Sequence, residues 1–277
     1  MDARILLSAG VPSASVGKDS KAVVNTGDTF TAGIAGWESS SQPDYASAGV
    51  KWQTTTSVIT ASASPQVITL TDEQVYNADK NIRTWMKAWY PAGRLSGGKV
   101  TFERASDGTA DVLLSAELSG SKSDRTGKTL AFSHVTTQLK FVVKGGAGLA
   151  DDTRILEIKI KNAGLPTGLD LKTDALTVVT EDLTVPGIDG SLVIGSSPEG
   201  DAVGDPVMIA PVSGKNVVLD ITTSAASYPG VTATIDGDDN FLAGKAYTIT
   251  LTFSQSALEL QASLAEWAEG TGSGNVE

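Results

Sequence analysis

Strict alternation of apolar and polar residues is the feature that most constrains the fold of this chain. Its clearest example is AYTITLTF, residues 246–253, in which every second residue is Tyr, Ile, Leu or Phe and threonines fill the positions between them. Successive side chains of a β-strand point to opposite faces, so this spacing places the apolar residues together on one face. The segment is therefore predicted to be a half-buried strand of an antiparallel sheet.

The same pattern recurs along the chain and predicts an all-β protein. In residues 99–118, Asp107-Gly108 supplies turn residues between two strand-like segments, and Asp236-Gly237 does so before the strand at 246–253. The 29 glycines and 10 prolines are typical of many turns. Short strands separated by Gly, Pro, Asn and Asp favour β-sandwiches with Greek-key-like connections over parallel sheets.

The length of 277 residues is compatible with one large domain or two smaller ones. Glycines cluster in KGGAGLADD, residues 144–152, and most of the acidic excess follows this stretch. We therefore predict two domains, residues 1–147 and 148–277. A hairpin loop would have the same composition, and this alternative stays open.

Composition excludes several classes of partner and chemistry. The formal net charge of -11 disfavours nucleic acid, because such binding needs clustered Lys and Arg. The absence of cysteine removes disulfides and thiolate ligands. The glycines at 120 and 127 are too far apart for a phosphate-binding loop, and residues 236–247 lack the Gly and Glu of a calcium loop. No cofactor and no metal are expected.

Neither a membrane span nor an export signal is predicted within the chain. It contains no run of about 18 apolar residues, and MDARILLSAG lacks the charged and apolar regions of a signal peptide. If the protein is exported, the sequence is expected to correspond to a mature or trimmed form.

His134, the single histidine, lies in FSHVTTQLKFVV, residues 132–143. If this stretch is one strand, His134 shares its polar face with Thr136 and Gln138, which predicts a solvent-facing or structural residue. A catalytic histidine needs a carboxylate and a nucleophile close by, and no nucleophile motif such as G-x-S-x-G is present. The sequence therefore predicts that the protein is not an enzyme.

Trp85 and Trp89 in WMKAWYP are the best candidates for a ligand-binding face. On a strand they would lie on one face with Lys87 between them, an arrangement suited to stacking on a sugar ring. Large aromatic residues are more often buried, so an aromatic core or a domain seam is the competing interpretation.

The ordered set of motifs resembles the fimbrillin family of Bacteroidetes, which comprises pilin-like and Mfa-like surface lipoproteins. No single motif is specific, but together they span nearly the whole chain. They are FTAGIAGWE (30–38), LTDEQVYNADKNIRTWMKAWYPAG (70–93), DVLLSA (111–116), FSHVTTQLKFVV (132–143), IAP (209–211) and AGKAYTITLTFSQSALELQASLAEWAEG (243–270).

This resemblance implies two tandem transthyretin-like β-sandwiches and a structural or adhesive role at the cell surface. It implies export as a lipoprotein, with the lipid on a cysteine upstream of this chain, location at the outer membrane in a fimbrium, and other fimbrial subunits as partners. In such pilins an Arg-specific protease removes an N-terminal strand, and a strand of the next subunit fills the groove. Polymerising members donate a C-terminal extension. Only about ten residues follow Trp267 here, so stalk, tip and anchor roles stay open.

The sequence itself offers a strand suited to such an exchange. Ile5, Leu7, Ala9 and Val11 alternate in ARILLSAGV, and Arg4 precedes them as a candidate processing site. An ordinary edge strand and a solvent-facing charge are the competing interpretations. The function predicted from these observations is a fimbrial subunit that assembles by strand exchange. The alternative is a carbohydrate-binding or adhesive module that binds surface glycans or proteins and does not polymerise.

Overall fold

Strands form all the regular secondary structure in the described part of the chain. The computed structural model describes residues 3–11, 24–103, 107–255 and 258–265. These ranges contain twenty strands and no helix, so none of them holds a helix that could cross a membrane. The prediction of an all-β protein is confirmed. The strands are β1 (Leu7–Gly10), β2 (Thr29–Phe30), β3 (Gly33–Ser39), β4 (Trp52–Thr55), β5 (Ile59–Thr60), β6 (Gln66–Ile68), β7 (Arg83–Tyr90), β8 (Arg94–Ser96), β9 (Lys99–Thr101), β10 (Leu113–Ser115), β11 (Leu118–Gly120), β12 (Thr129–His134), β13 (Thr137–Gly145), β14 (Ile155–Asp170), β15 (Ala175–Thr184), β16 (Asp201–Ile209), β17 (Asn216–Thr223), β18 (Ser227–Thr234), β19 (Ala246–Phe253) and β20 (Leu258–Ala265).

The largest sheet belongs to the N-terminal part of the chain and has the order β4-β3-β7-β10-β12-β1-β6, with β11 also paired to β7. One face of this sheet packs on an N-terminal core that includes Ile34, Leu113 and Phe132. The other face contributes Trp37 and Trp89 to a separate middle core. Because both faces are covered, the central strand β7 carries buried residues at successive positions.

The chain passes from the N-terminal sheet to the C-terminal sheet within two residues, Val135 and Thr136, which separate β12 from β13. Strand β13 lies inside a four-stranded sheet of order β16-β13-β19-β20 and runs parallel to β19. Its apolar side chains, with those of β14, β17 and β19, form the C-terminal core. The alternating strand predicted at 246–253 is confirmed as β19, but its sheet is mixed, since β19 runs parallel to β13 and antiparallel to β20.

A long hairpin of β14 and β15 connects the two halves of the molecule. Residues 155–160 of β14 pair with β17 of the C-terminal half, and residues 168–170 pair with β9, which follows β7 in the N-terminal half. Leu169 and Leu171 thereby reach the middle core and pack with Trp37 and Trp89. The two halves therefore share a continuous sheet and a common apolar cluster.

The domain division at residues 147 and 148 stays a prediction, as does the transthyretin-like character of each half. Strand β13, which that division assigns to the first domain, has its side chains in the C-terminal core. We propose that the crossing at Val135 and Thr136 is the better boundary, because the strands on either side of it, β12 and β13, pack in different cores.

Candidate functional site

The first strand of the chain fills an apolar groove in the N-terminal core. Ile5, Leu7, Ala9 and Val11 are all buried, whereas Leu6 on the opposite face is 71% exposed. The apolar side chains of this alternating segment therefore point inward, as the sequence predicts. The buried side chains pack in the N-terminal core, which contains aliphatic and aromatic residues from β3, β7, β10 and β12.

The backbone of this segment is hydrogen-bonded along both edges. Strand β1 runs parallel to β12, with Ser8 opposite Thr129, and antiparallel to β6, with Ser8 opposite Val67. Ser8 N donates to Lys128 O at 2.9 Å, and Val11 N donates to Ser62 O at 2.8 Å. Loss of β1 would therefore leave unpaired peptide groups on two strands and an empty apolar groove between them.

Arg4 is accessible as a side chain but constrained as backbone. Its side chain is 63% exposed and its Nε lies 2.6 Å from Glu73 Oε1. Ile5 N donates to Gln74 O, and Tyr76 N donates to Ala3 O, so the peptide groups on both sides of Arg4 are paired. Cleavage after Arg4 would also leave Ile5 to Val11 on the larger product, because they follow it in the chain. Its role in processing stays a prediction.

We expect an Arg-specific protease to cleave the folded protein at Arg125 well before Arg4. A protease needs an extended and unpaired segment, and Arg125 is exposed outside the strands whereas Arg4 is held in a β-bridge with Val75. Mass spectrometry of a digestion time course measures the order of cleavage, and denatured protein provides the control. Equal rates at the two arginines in the folded protein would show that the N-terminal segment is not held as described.

The predicted environment of His134 is wrong, because the side chain is buried and has an acidic partner. Its Nδ1 lies 2.7 Å from Asp111 Oδ2, and both side chains are fully inaccessible to solvent. Thr136 and Gln138, expected on a wet face, are also buried. The reason is that residues 132–143 are two strands, and the crossing at Val135 and Thr136 resets the alternation between them.

Asp111 is the centre of a polar network at this crossing. Its Oδ1 accepts hydrogen bonds from Thr136 Oγ1 at 2.8 Å and from Val112 N, and its Oδ2 accepts one from Val24 N at 3.2 Å. Burial, and after it the negative charge of Asp111, raise the pKa of the Tyr90 hydroxyl. Gly244 N donates to Thr136 O, so the crossing is hydrogen-bonded to the C-terminal half. The network holds the crossing in place, and its burial denies a substrate access to His134.

Asp111 was not singled out by the sequence. The only local signal is an acidic residue at the start of the apolar run DVLLSA, where a buried carboxylate would need several donors. Apart from Val112 N, those donors come from positions far from Asp111 in the chain. Among the described residues, no group of three or more His, Cys, Asp or Glu side chains is arranged to hold a metal ion.

The proposed ligand face of Trp85 and Trp89 is wrong, because the face they share is covered. Trp89 is fully buried in the middle core and its Nε1 donates to Ala92 O at 2.6 Å, while Trp85 is half-buried beside the same core. Lys87 between them is buried too. Its Nζ donates to Leu171 O at 2.7 Å and pairs with Asp174. This face is therefore a seam between the two halves, which was the competing interpretation.

Comparison with known proteins identifies the family. The sequence matches the fimbrillin-like family over residues 21–267. No curated protein sequence matches the chain. Among solved structures, a protein from Bacteroides uniformis provisionally described as a cell adhesion protein has a TM-score of 0.60 and 17% identity, and the match covers 96% of this chain and 99% of that chain. A fimbrial protein from Bacteroides vulgatus has a TM-score of 0.52 and 12% identity, with coverage of 96% and 99%. At these identities the likeness concerns the fold, and the sequence match over most of its length shows that the chain belongs to the fimbrillin-like family.

Proposed function

We propose that this protein is a structural subunit of a cell-surface fimbria that assembles by exchange of its first strand. Family membership supports a fimbrial or adhesive role at the cell surface. The observation that carries the finer proposal is the position of β1, which lies between β12 and β6 and buries its apolar side chains in the N-terminal core. Displacement of β1 would free one edge of β12 and one edge of β6 for another strand.

The chemistry of the groove suits an extended strand as its occupant. Removing β1 would expose unpaired donors and acceptors on β12 and β6, and a second strand with apolar residues at every other position would satisfy both the backbone and the groove. The partners proposed are therefore other fimbrial subunits. The same proposal includes anchoring at the outer membrane through a lipid on an upstream cysteine. It also includes the absence of catalysis.

The alternative of a carbohydrate-binding module loses its main support. It depended on an exposed face carrying Trp85 and Trp89, and Trp89 is fully buried. A glycan-binding role would have to use a different surface.

A strand-replacement experiment tests this function. A specific protease site introduced between residues 12 and 23 would separate β1 from the rest of the chain after folding. Mild denaturant then releases β1 from the cleaved protein. The protein is expected to bind a labelled peptide of residues 3–11 tightly and slowly, because the peptide restores the backbone pairing with β12 and β6 and the apolar contacts. Fluorescence anisotropy and size-exclusion chromatography measure binding and self-association.

A matched peptide provides the control. The same peptide with Leu7→Asp and Ala9→Asp keeps its length but places charges in the groove, and it is expected not to bind. Without peptide, the cleaved protein keeps an open groove but has no strand to donate, so it should aggregate. Strand exchange would be refuted if the cleaved protein stayed monomeric and stable after losing β1 and bound neither peptide.

A further inference from the structure

Strand β15 forms an unusually open edge on the opposite half of the molecule from β1. It has ten residues and, in the part of the chain that the structure describes, pairs only with β14. Residues 177–180, Thr-Val-Val-Thr, are exposed at four successive positions, with Val178 40% and Val179 43% exposed. Over these four residues, both faces of the strand are therefore open to solvent, whereas Leu183 near its end is buried in the C-terminal core.

The direction of the peptide groups along this edge follows from contacts on β14. Gly164 of β14 lies opposite Thr180 of β15. The Gly164 carbonyl accepts a hydrogen bond from Ala210 N at 2.8 Å, so it points away from β15. Two residues along, Pro166 has no N–H to give and lies opposite Val178. Antiparallel pairs alternate between bonded and non-bonded, so Val179 bonds to β14 while the N–H and C=O of Val178 and Thr180 point outward.

The edge lacks the features that normally block pairing with another chain. Edge strands are usually protected by shortness, by proline, by bulges or by charge. The other strands at the margins of this sheet follow that rule, since β8 has three residues and β18 contains Pro229 and Gly230, the latter with φ of 65°. Residues 175–180 of β15 contain no charge, no proline and no glycine, and the extra residues at the two register shifts of this hairpin lie on β14.

We propose that β15 pairs with β15 of a second copy of this chain, antiparallel, about a two-fold axis at Val179. In this register the outward groups of Val178 face those of Thr180 in the second copy, and the reverse pair forms by symmetry. Each pair exchanges two hydrogen bonds, so the four outward groups of each copy are all satisfied. Val179 faces its own symmetry mate in a non-bonded pair, where two β-branched side chains pack well.

Charge favours this register over the one centred on Val178. A two-fold axis normal to the sheet keeps each side chain on its own face of the sheet. Opposite residues must therefore be an even number of positions apart in the sequence, so the axis passes beside a residue and not between two residues. Centring on Val178 would place Asp182 opposite Asp174, and like charges opposite each other are destabilising. Centring on Val179 places Asp182 opposite Leu176 instead. A stable interface buries at least roughly 1,000 Å², so a dimer held by one short strand pair is expected to be weak and concentration-dependent.

Single-cysteine crosslinking tests the proposal, because the chain has no cysteine of its own. Cα atoms of a non-bonded antiparallel pair lie about 4.5 Å apart, which is within disulfide range. Val179→Cys is therefore expected to form a disulfide dimer under mild oxidation at least about tenfold faster than the controls, because pairing raises the local thiol concentration. The controls are Val178→Cys, which is offset from its mate, and Val218→Cys, an exposed valine of the same sheet.

Two results would overturn the proposal. Equal rates for all three variants would indicate random collision, and faster dimerisation of Val178→Cys would indicate the other register. Sedimentation equilibrium gives a second measure without any cysteine. The unmodified protein should dimerise as its concentration rises and Val179→Lys should stay monomeric, whereas identical monomeric behaviour of both would also reject the pairing. Because β1 is untouched in every variant, these outcomes are independent of strand exchange.

Discussion

Deletion of residues 1–11 is expected to unfold the N-terminal sheet and its core or to convert the protein into aggregates. Burial of Ile5, Leu7 and Val11 contributes roughly 1.5–3 kcal/mol each, or about 5–9 kcal/mol together. A whole domain is typically stable by only about 5–15 kcal/mol. Denaturant unfolding and light scattering should show loss of the native transition and growth of large species.

Single substitutions on the two faces of the same segment give the control. Leu7→Asp places a charge in the groove and should be nearly as damaging as the deletion. Leu6→Ser, on the exposed neighbour, should change the free energy of unfolding by less than about 0.5 kcal/mol. A truncated protein with an unchanged melting temperature and a clean monomer peak would show that β1 fills no essential groove.

Asp111→Ala is expected to lower the free energy of unfolding by about 3–5 kcal/mol. The substitution removes an acceptor shared by His134, Thr136 and two backbone N–H groups, and all of these lie in the interior. Urea denaturation measures the loss. Because the network holds the crossing between the halves, hydrogen exchange should also rise at residues 134–137.

Asp107→Ala is the matched control, since Asp107 is an exposed aspartate four positions away that caps a turn through Thr109. Its loss should cost about 0.5–1.5 kcal/mol. The double variant Asp111→Leu with His134→Leu should be less destabilised than the sum of the two single changes, because removing both leaves neither side chain buried without the other. Additive effects would contradict a coupled pair.

Local patterns were sufficient for the fold class and for the first strand. Alternation has a period of two in any strand, so it is visible in ARILLSAGV and AYTITLTF without knowledge of the partner strands. For the same reason, the inward face of Ile5, Leu7, Ala9 and Val11 could be predicted from the sequence. What alternation does not specify is which strands lie on either side, here β12 and β6.

The errors arose where one strand has both faces covered or where a strand ends. In β7, polar Lys87 suggested an open face, but its amine reaches Leu171 O and Asp174 across the seam between the halves. In residues 132–143, a two-residue crossing divided what reads as one strand. Neither feature changes the local residue pattern, because both depend on what packs against it.

The sequence by itself determined that this protein is built of strands, that its first strand is amphipathic and that its family is the fimbrillins, because these follow from local spacing and from the order of motifs. Only the tertiary structure decided that His134 is buried against Asp111, that Trp89 lies in a seam and that β15 is an open edge. Burial and edge status are set by long-range pairing. In an all-β chain such pairing joins residues far apart, such as Asp111 with Val24 and Gly164 with Ala210.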